Sequence, residues 1–498
     1  MTEYAATPGY AATPGRLGRT QRSAVVVGSG PNGLAAAITL ASAGMRVEVF
    51  EAQALPGGGA RTLELTEPGF HHDFGSAVHP MAVSSPFFRT LPLGAYGLEW
   101  IQPGAALAHP FDDGTATLLV RDIDEQERLL GQDGAAWRGL IEPFATQWQQ
   151  LLEDALRPLS LLPRHPLLMA QFGMKAFVPA ATLSRATFRG TRARALFAGL
   201  AAHSFLSLDQ PLSSAFGLMM GASAHAVGWP LPRGGSQSIT DALIAHLQTI
   251  GGAVHTSSPV LSLAQLPPAD LAMFDTSPQQ LLGIAGDRLS WIYRKKFAEF
   301  RPGPGAYKVD YALSSPIPWR ARECAQAATV HLGGTLEAIA TSESAIANGR
   351  HAERPFVLLV QPTLVDPSRA PEGKHIAWAY CHVPHGSAED MLPRIEAQIE
   401  RFAPGFRDCV LARRVLTPEG LEHRDGNLIG GDINGGAADL WQFVFRPTWR
   451  YYATSDPGIY LCSASTPPGG GVHGMCGHNA AQMALRRLRQ AGSGLLRG

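Results

Sequence analysis

A glycine-rich turn close to the N-terminus constrains the fold of this chain more strongly than any other feature. Residues 28–33 read Gly-Ser-Gly-Pro-Asn-Gly, after a mostly β-branched run and before an Ala- and Leu-rich segment. Gly28 allows the tight turn, Gly30 lets a pyrophosphate approach the backbone, and Gly33 lets the helix pack closely on the strand. Because a helix N-terminus also favours negative charge, the pattern predicts a βαβ unit that binds a dinucleotide.

An acidic residue ends the next predicted strand, which covers residues 46–51. Glu51 lies 18 residues after Gly33. A carboxylate at this place accepts hydrogen bonds from ribose hydroxyls and would repel a 2′-phosphate. The acid therefore disfavours NADP and leaves FAD or NAD as the predicted dinucleotide.

Two further glycine-rich stretches favour FAD over NAD. The first, residues 55–62, contains Gly58 and one cation, Arg61, which could touch the same pyrophosphate. A nicotinamide enzyme has no need of this second loop. The other stretch, residues 469–474, again matches G-x-G-x-x-G, but the helix that it opens leaves no later strand to carry a ribose-binding acid. We therefore interpret it as a glycine loop packed against a flat ring.

The predicted elements divide the chain into two interleaved domains of the α/β class. The Rossmann-type FAD-binding domain is predicted to contain residues 23–79, 228–300 and 450–498, and the α+β substrate domain residues 80–227 and 301–449.

Finer expectations follow from the periodicity within these ranges. Residues 80–228 should form a mainly helical insert, with long helices at 135–156 and 191–206, and residues 307–446 an antiparallel sheet. Residues 260–275 are predicted to be strands, and residues 1–22, which repeat Ala-Ala-Thr-Pro-Gly, a disordered tail.

Composition excludes several classes of function and location. Of the 498 residues, 41 are Lys or Arg and 41 are Asp or Glu, with no long block of like charge, which argues against a nucleic-acid partner. The five cysteines are scattered without a Cys-x-x-Cys pair, as is typical of a reduced, cytosolic protein. We expect no signal peptide and no transmembrane helix, and therefore a cytoplasmic protein, with peripheral membrane contact left open.

A metal site is not expected either. His71 and His72 are adjacent, and neighbouring side chains on a strand point to opposite faces. No third ligand has suitable spacing, so the sequence predicts no metal.

These motifs together resemble the phytoene-desaturase-like branch of the FAD-dependent oxidoreductases. Within that branch the chain is most similar to bacterial members and to their mitochondrial relatives, which are of the pyridine nucleotide-disulphide oxidoreductase domain type. The resemblance covers residues 23–488 and depends most on the Gly28 loop with Glu51 and on the ending at 469–477. It implies FAD as the cofactor and assigns it to residues at both ends of the chain. Val260 should contact the adenine, Arg61 the pyrophosphate, and Gly471, Val472 and His473 the isoalloxazine ring.

The leading functional hypothesis is dehydrogenation or saturation of carbon–carbon bonds in a hydrophobic, isoprenoid-like substrate. Quinone or dioxygen is the expected electron acceptor, because no second Rossmann unit and no Cys pair is evident. His79, His331 and Arg446 are the candidate catalytic residues, since each lies close to a flavin motif or on a predicted sheet strand. A flavin-dependent amine oxidase, a reduced-flavin isomerase and a non-catalytic flavoprotein remain as alternatives, and the oligomeric state is left open.

Overall fold

The computed structural model describes residues 21–158 and 162–494, and its strands fall into two large sheets and two small ones. Nearly all of the predicted N-terminal tail lies outside the described residues. In the described part of the chain the strands are β1 Ser23–Val27, β2 Arg46–Phe50, β3 Thr62–Glu64, β4 His71–Asp73, β5 Trp100–Ile101, β6 Ala105–Pro110, β7 Ala116–Leu119, β8 Leu231–Pro232, β9 Ala253–His255, β10 Leu271–Phe274, β11 Gly305–Leu313, β12 Ala327–Leu332, β13 Val357–Val360, β14 His375–Val383, β15 Val410–Leu416 and β16 Ile459–Leu461.

The α-helices of the described residues alternate with these strands. They are α1 Pro31–Ser42, α2 Pro80–Val83, α3 Ile123–Leu130, α4 Gly134–Thr146, α5 Trp148–Ala155, α6 Pro166–Ala176, α7 Ala180–Thr187, α8 Thr191–Ala202, α9 Ser213–Ala226, α10 Gln237–Thr249, α11 Pro278–Ala285, α12 Trp291–Ala298, α13 Leu336–Ala347, α14 Leu392–Phe402, α15 Phe406–Cys409, α16 Pro418–Arg424, α17 Leu440–Phe445 and α18 Met475–Gly494. None of them is both long and apolar enough to pass through a bilayer.

The first sheet is fully parallel, with strand order β16-β10-β1-β2-β9. Its central strand, β1, is almost entirely buried, which is why its sequence is a continuous apolar run. Helix α1 begins with a proline at its first position, which suits the φ angle of a helix start. It packs against both α10 and α18, so elements from the middle and the end of the sequence complete this domain.

The second sheet has seven strands in the order β15-β11-β14-β13-β12-β6-β7. All neighbouring pairs are antiparallel except β12 and β6, which are parallel. The α/β fold class with an interleaved α+β domain is therefore confirmed. Residues 80–228 are mainly helical, as expected, but β6 and β7 also come from this range and form one edge of the sheet. Their sequences are too short and too uniformly buried for a clear period-2 pattern.

Two other elements differ from the expectation. The helix predicted over 135–156 is two helices, α4 and α5, which meet at Gln147, a residue whose backbone leaves the helical region. Residues 260–270 are not strands: they run along the surface with a single 3₁₀ turn at Leu263–Gln265, and pairing starts only at β10. Local apolar content predicted a strand there, but the parallel sheet offers this segment no partner.

Candidate functional site

The glycine turn between β1 and α1 has the close contacts that its sequence predicts. Gly28 has φ +96°, a conformation that other residues rarely adopt. A Cβ atom on Gly33 would lie 2.2 Å from the Gly28 carbonyl oxygen, and one on Gly30 would lie 2.7 Å from a carboxylate oxygen of Asp275. Helix α1 begins at Pro31, which has no N–H, and its Gly33 N–H donates to Asp275, so an anion at this helix start would meet the Asn32 N–H.

Glu51, which directly follows β2, is hydrogen-bonded to the glycine turn. Its Oε2 atom accepts hydrogen bonds from the Ser29 backbone N–H, at 2.9 Å, and from the Ser29 hydroxyl, at 2.6 Å. Its Oε1 atom accepts from the Gln53 backbone N–H at 2.8 Å. The carboxylate is thereby held at the wall of a cavity, where a ribose would meet it.

Asp275, at the end of β10, was not singled out from the sequence. Its Oδ2 atom accepts a hydrogen bond from the Gly33 N–H at 2.8 Å. Burial raises the pKa of this carboxyl to about 7, against the opposing effect of the Gly33 hydrogen bond. The sequence signal that could have found it is an acid directly after a buried strand, the same signal that identified Glu51.

A cavity of about 420 Å³, here called the outer cavity, opens beside this turn. Of the predicted cofactor residues, six line it: Gly28, Gly30, Glu51, Gly58, Arg61 and Val260. The structure thus brings together residues that are more than 200 positions apart in the sequence, as the resemblance implied. Gly33 lies behind the turn, where it packs the helix on the strand.

Arg61 has a double role at this cavity. Its Nε atom donates to the Gly58 carbonyl at 2.7 Å and its Nη2 atom to the Arg424 carbonyl at 2.9 Å. Its guanidinium carbon lies 4.7 Å from the centre of the Phe74 ring. Burial lowers the pKa of Arg61, although the nearby Asp425 and Glu51 oppose this change. The cation therefore holds the second glycine loop against a segment of the other domain.

That segment, residues 424–427, is a part of the site that the sequence did not reveal. Asn427 donates from Nδ2 to the Asp275 carbonyl at 2.8 Å and accepts from the Ser277 N–H at 2.8 Å. Asp425 is enclosed beside Arg61, and burial raises its pKa. Residues 424–427 line the outer cavity although the predicted boundary put them in the substrate domain. The loop carries no motif, so only the fold places it there.

The C-terminal glycine loop reaches the same region from the other side. Gly471, with φ +117°, and Val472 line a second cavity, whereas His473 does not. The His473 ring instead accepts the Met475 N–H at its Nδ1 atom, at 3.0 Å, and so supports the start of α18. A Cβ atom on Gly477 would lie 1.7 Å from the Asn32 carbonyl oxygen, which shows how closely α18 packs on α1.

The second cavity, here called the inner cavity, has a volume of about 410 Å³. It shares Gly30, Gly58 and Asp275 with the outer cavity, so the two form one groove. On one side it is lined by apolar side chains of α9, Phe216 and Met220, and of the segments that follow α8 and α9, Phe205 and Trp229. A largely apolar chamber therefore adjoins the end of a nucleotide-type groove.

One face of the seven-stranded sheet forms the far wall of the inner cavity. Strand register places its residues in two cross-strand rows, because alternate residues share a face. One row is His331, Leu358, Tyr380 and Lys308, and the other is Thr329, Val360, Trp378 and Asp310. Lys308 donates from Nζ to Asp310 at 2.5 Å and lies 5.2 Å from the centre of the Trp378 ring.

The three candidate catalytic residues lie at different depths around this cavity. His79 lines it directly, with Nε2 2.8 Å from the Ser236 hydroxyl. Burial lowers the pKa of His79 to about 4. The ring is consequently neutral at pH 7.

His331 does not reach the cavity wall. Its Nε2 atom lies 3.0 Å from Nε2 of His203, a histidine of the segment after α8 that does line the cavity. Burial lowers the pKa of His203 to about 3 and that of His331 well below its usual value. His203 was not predicted from the sequence, because nothing in its local pattern distinguishes it from the helical core around it.

Arg446 also stands behind the wall. Its Nη2 atom donates to the Asn434 carbonyl at 2.9 Å and to the Gly435 carbonyl at 2.5 Å, and both of these residues line the inner cavity. Burial lowers its pKa. Arg446 thus positions the loop that faces the cavity rather than touching a ligand there.

Within residues 21–158 and 162–494, no three His, Cys, Asp or Glu side chains are grouped so that they could hold a metal ion. His71 and His72 lie in β4, and only His72 is fully enclosed.

Comparisons with known proteins agree with this geometry. A family model for the NAD(P)-binding Rossmann-like domain matches residues 26–91. The pyridine nucleotide-disulfide oxidoreductase domain-containing protein 2 of Mus musculus is 27% identical, over 95% of this chain and 95% of its own length. The lycopene-forming phytoene desaturase of Pseudescherichia vulneris is 23% identical, over 93% of this chain and 99% of its own length.

Solved structures share the fold. An oxidoreductase from Methanosarcina mazei superposes with a TM-score of 0.62 at 18% identity, over 93% of this chain and 100% of its own. Cyclohexylamine oxidase from Brevibacterium oxydans superposes with a TM-score of 0.56 at 15% identity, over 94% of this chain and 100% of its own. The resemblance stated from the motifs is therefore confirmed. The chain is thus similar over nearly its whole length to oxidoreductases that include a phytoene desaturase, and residues 26–91 match a Rossmann-like domain.

Proposed function

We propose that this protein is an FAD-dependent oxidoreductase that dehydrogenates or saturates carbon–carbon bonds of a hydrophobic, isoprenoid- or polyene-like substrate. The observation that carries the proposal is the continuity of the two cavities through Gly30, Gly58 and Asp275. A dinucleotide with a flat ring at one end fits a groove that begins at a ribose-binding acid and ends in an apolar chamber.

The residues present fit FAD along the whole groove. Glu51 and Val260 lie at the outer end, and the uncapped N-terminus of α1 lies beside the shared wall. At the inner end the backbone of Gly471 and Val472 offers a flat surface, and α18 begins three residues later, with the positive end of its dipole. When bound, FAD accepts a hydride from a carbon next to, or conjugated with, a double bond.

The chain itself would orient the substrate and exclude water. Phe216 and Met220 cover the cavity from α9, Trp229 covers it from the segment after α9, and Leu358 and Val360 cover it from the sheet. Such walls give an apolar substrate little polar recognition, and they hold its reacting bond across the ring face.

Removal of a hydride from a saturated bond also requires a place for a proton. We assign this role to His203, because its ring lies on the cavity wall while its Nε2 atom is fixed by Nε2 of His331. Burial lowers the pKa of His203 to about 3, so its ring is neutral at pH 7 but a weak base, which would hold a received proton only transiently before passing it on. His331 then sets which nitrogen of His203 faces the cavity.

Quinone or dioxygen is the proposed electron acceptor. In the described residues the five cysteines are free, and burial raises the pKa of the Cys476 thiol, next to the C-terminal loop, to about 12. A buried thiol of this kind is a poor relay to a disulfide.

To test the proposal, the yellow protein is mixed anaerobically with candidate polyenes. The absorbance of the oxidised flavin band is then measured over time. Bleaching is the expected result, with a slower rate in His203→Gln at unchanged flavin content. Product of unchanged mass, formed only after prior reduction, would instead indicate a reduced-flavin isomerase. A protein that binds FAD and is reduced by no apolar donor would contradict the proposal and leave the non-catalytic alternative.

Lys308 favours amine oxidation as a second candidate function. This buried cation lines the inner cavity, and Trp378 beside it stacks with Tyr380 at 5.8 Å between ring centres. A lysine and aromatic rings near the flavin would suit an amine substrate, although Asp310 holds the Lys308 ammonium group. Rapid bleaching by an amine, lost in Lys308→Met, would favour this candidate over the first.

A further inference from the structure

Helix α6 presents an apolar face to solvent. Leu167 is 87% exposed and Met174 is 72% exposed, and Leu162 and Phe177 at either side of the helix are also more than half exposed. These four, here called the α6 patch, lie within sixteen residues of the chain and are among the eleven large apolar side chains exposed in the described residues. Such clustering marks an interaction surface rather than ordinary surface composition.

The opposite face of α6 is an ordinary core face. Leu168, Phe172 and Ala176 are buried, and Phe172 makes an edge contact with Phe144 at 5.4 Å between ring centres. The helix is therefore apolar on both sides. Burial of the inner face holds the helix in place, so the outer face does not owe its exposure to a loose element.

The chain around the α6 patch carries positive charge without acids. Residues 155–208 contain no Asp or Glu and seven cations, although the whole chain has a net charge of zero. The cations are spaced out rather than contiguous: Arg157, Arg164, Lys175, Arg185, Arg189, Arg192 and Arg194.

Some of this charge is neutralised by acids from neighbouring segments. Arg157 lies 2.8 Å from Asp154, Arg164 lies 3.5 Å from Glu153, and Arg185 lies 3.6 Å from Glu337. The other four cations form no ion pair with a carboxylate of the described residues. A cation-rich stretch of chain with protruding apolar side chains is the combination that binds anionic lipid.

We propose that the α6 patch is the contact by which this protein docks on an anionic membrane surface, with Leu167, Met174 and Phe177 inserted among the lipid headgroups. A second copy of the chain is the less suitable occupant, because a two-fold contact would bring the same cations face to face. The patch consists of separate protruding side chains, which suits a soft lipid interface better than a fixed protein groove.

The position of α6 connects the surface to the site. Helix α6 packs on α9, and α9 supplies Phe216 and Met220 to the inner cavity. Docking would place the membrane one helix layer from that cavity, where a lipid-soluble substrate could be collected. This last step rests on the proposed function, whereas the docking itself does not.

The test uses the full-length flavin-loaded protein and sedimentation with vesicles of phosphatidylcholine, with and without phosphatidylglycerol. Binding is expected with phosphatidylglycerol and should weaken when salt rises from about 0.05 M to about 0.5 M. The variant Leu167→Glu, Met174→Glu, Phe177→Glu should lower the partition coefficient by at least about 100-fold, from roughly tenfold for each apolar side chain removed from lipid.

A matched control tests whether exposed apolar residues elsewhere on the protein contribute equally to vesicle binding. Trp291 and Leu411 are also more than half exposed but lie far along the sequence, outside the acid-free stretch. The variant Trp291→Glu, Leu411→Glu should bind vesicles as the wild type does. Flavin content and thermal unfolding measured for each variant show that the fold is kept. A second variant, Arg164→Gln, Lys175→Gln, should reduce binding to vesicles that contain phosphatidylglycerol. It should leave binding to pure phosphatidylcholine vesicles unchanged.

Three results would overturn the proposal. The first is a wild-type protein that stays in the supernatant with both kinds of vesicle. The second is equal binding by the α6 variant and the wild type. The third is a wild-type dimer that the α6 substitutions convert to a monomer in light scattering, which would make the patch a contact between copies. Because no substrate is used, none of these results bears on the proposed chemistry.

Discussion

The outer and inner cavities share part of their walls but are built in opposite ways. At the outer cavity, backbone atoms and acids meet at contacts so close that a single Cβ atom would not fit, as at Gly33. At the inner cavity the walls include side chains of a sheet face and of the helical segment, and hydrogen bonds there join side chains to one another, as between His79 and Ser236 and between Lys308 and Asp310. The close contacts at the outer cavity fit one type of ligand, whereas the side chains at the inner cavity can be substituted more freely. Proteins that share the proposed cofactor could therefore act on different substrates.

The largest effect is expected when one side chain is added to the glycine turn beside the outer cavity. Gly33→Val would force carbon atoms against the Gly28 carbonyl, and we expect a loss of at least about 3 kcal/mol in the free energy of unfolding and no retained flavin. Gly139→Ala in α4 is the matched control, because the space at its Cβ position is open. It should be neutral or slightly stabilising. A yellow, stable Gly33→Val protein would show that the turn is not the cofactor site.

The next effect concerns the ribose-binding acid. Glu51→Gln keeps the volume but weakens the hydrogen bonds from the Ser29 backbone and hydroxyl, and FAD affinity should fall by about 10- to 100-fold. Titration of apoprotein with FAD, followed by flavin fluorescence, measures this. Glu48→Gln, on the same strand but at a surface ion pair with His255, should leave the affinity unchanged. Equal affinity of the Glu51 variant and the wild type would remove Glu51 from the site.

A pH experiment tests the acid that joins the two cavities. Because burial raises the pKa of Asp275 from 3.8 to about 7, the native state binds more protons than the unfolded state between these values. The contribution of Asp275 to the free energy of unfolding therefore falls as pH rises through this window, by at most about 1.4 kcal/mol per pH unit.

Denaturant unfolding of apoprotein at pH 5 and pH 8 measures this contribution as a difference between wild type and Asp275→Asn. The variant should lose less stability than the wild type at the higher pH. Asp270→Asn, at the exposed other end of β10, should follow the wild type. Identical pH dependence in the wild type and the Asp275 variant would show that the carboxylate is already ionised at low pH.

The smallest effect is expected at the inner cavity. The Trp378 indole N–H has no hydrogen-bond partner in the described residues, and a phenyl ring would still lie beside Lys308. Trp378→Phe should therefore cost less than about 1 kcal/mol and leave flavin content intact. Trp319→Phe, which loses a hydrogen bond to Gln361 at 3.0 Å, should cost about 1 kcal/mol more in thermal unfolding. Flavin loss in the Trp378 variant would mean that the two cavities are not separable.

The same contrast explains what the sequence could predict. Gly28, Gly30 and Glu51 are fixed by backbone geometry within one βαβ unit, so a local motif reveals them. Arg61 was predicted from the second glycine-rich loop, and Val260 followed from the resemblance. Asp275 and Asn427 were missed because they act through contacts between segments 150 residues apart.

At the inner cavity, too, residues were not predicted because their roles depend on contacts between distant segments. His203 was indistinguishable from helical core residues until the sheet register brought His331 opposite it. His473 and Arg446 lie near the predicted place, yet their side chains turn away to support a helix start and a loop. Proximity in sequence to a glycine motif predicts location, but not which way a side chain points.

The packing of α18 on α1 has a consequence for biosynthesis. Gly477 meets the first turn of α1 at Asn32, and β16 completes the parallel sheet beside β10. A ribosome has therefore translated more than nine-tenths of this chain before the glycine turn made at the beginning gains its last neighbours. If the chain binds FAD as proposed, its site is complete only after these last elements have been made, and chains terminated before them are expected to remain colourless.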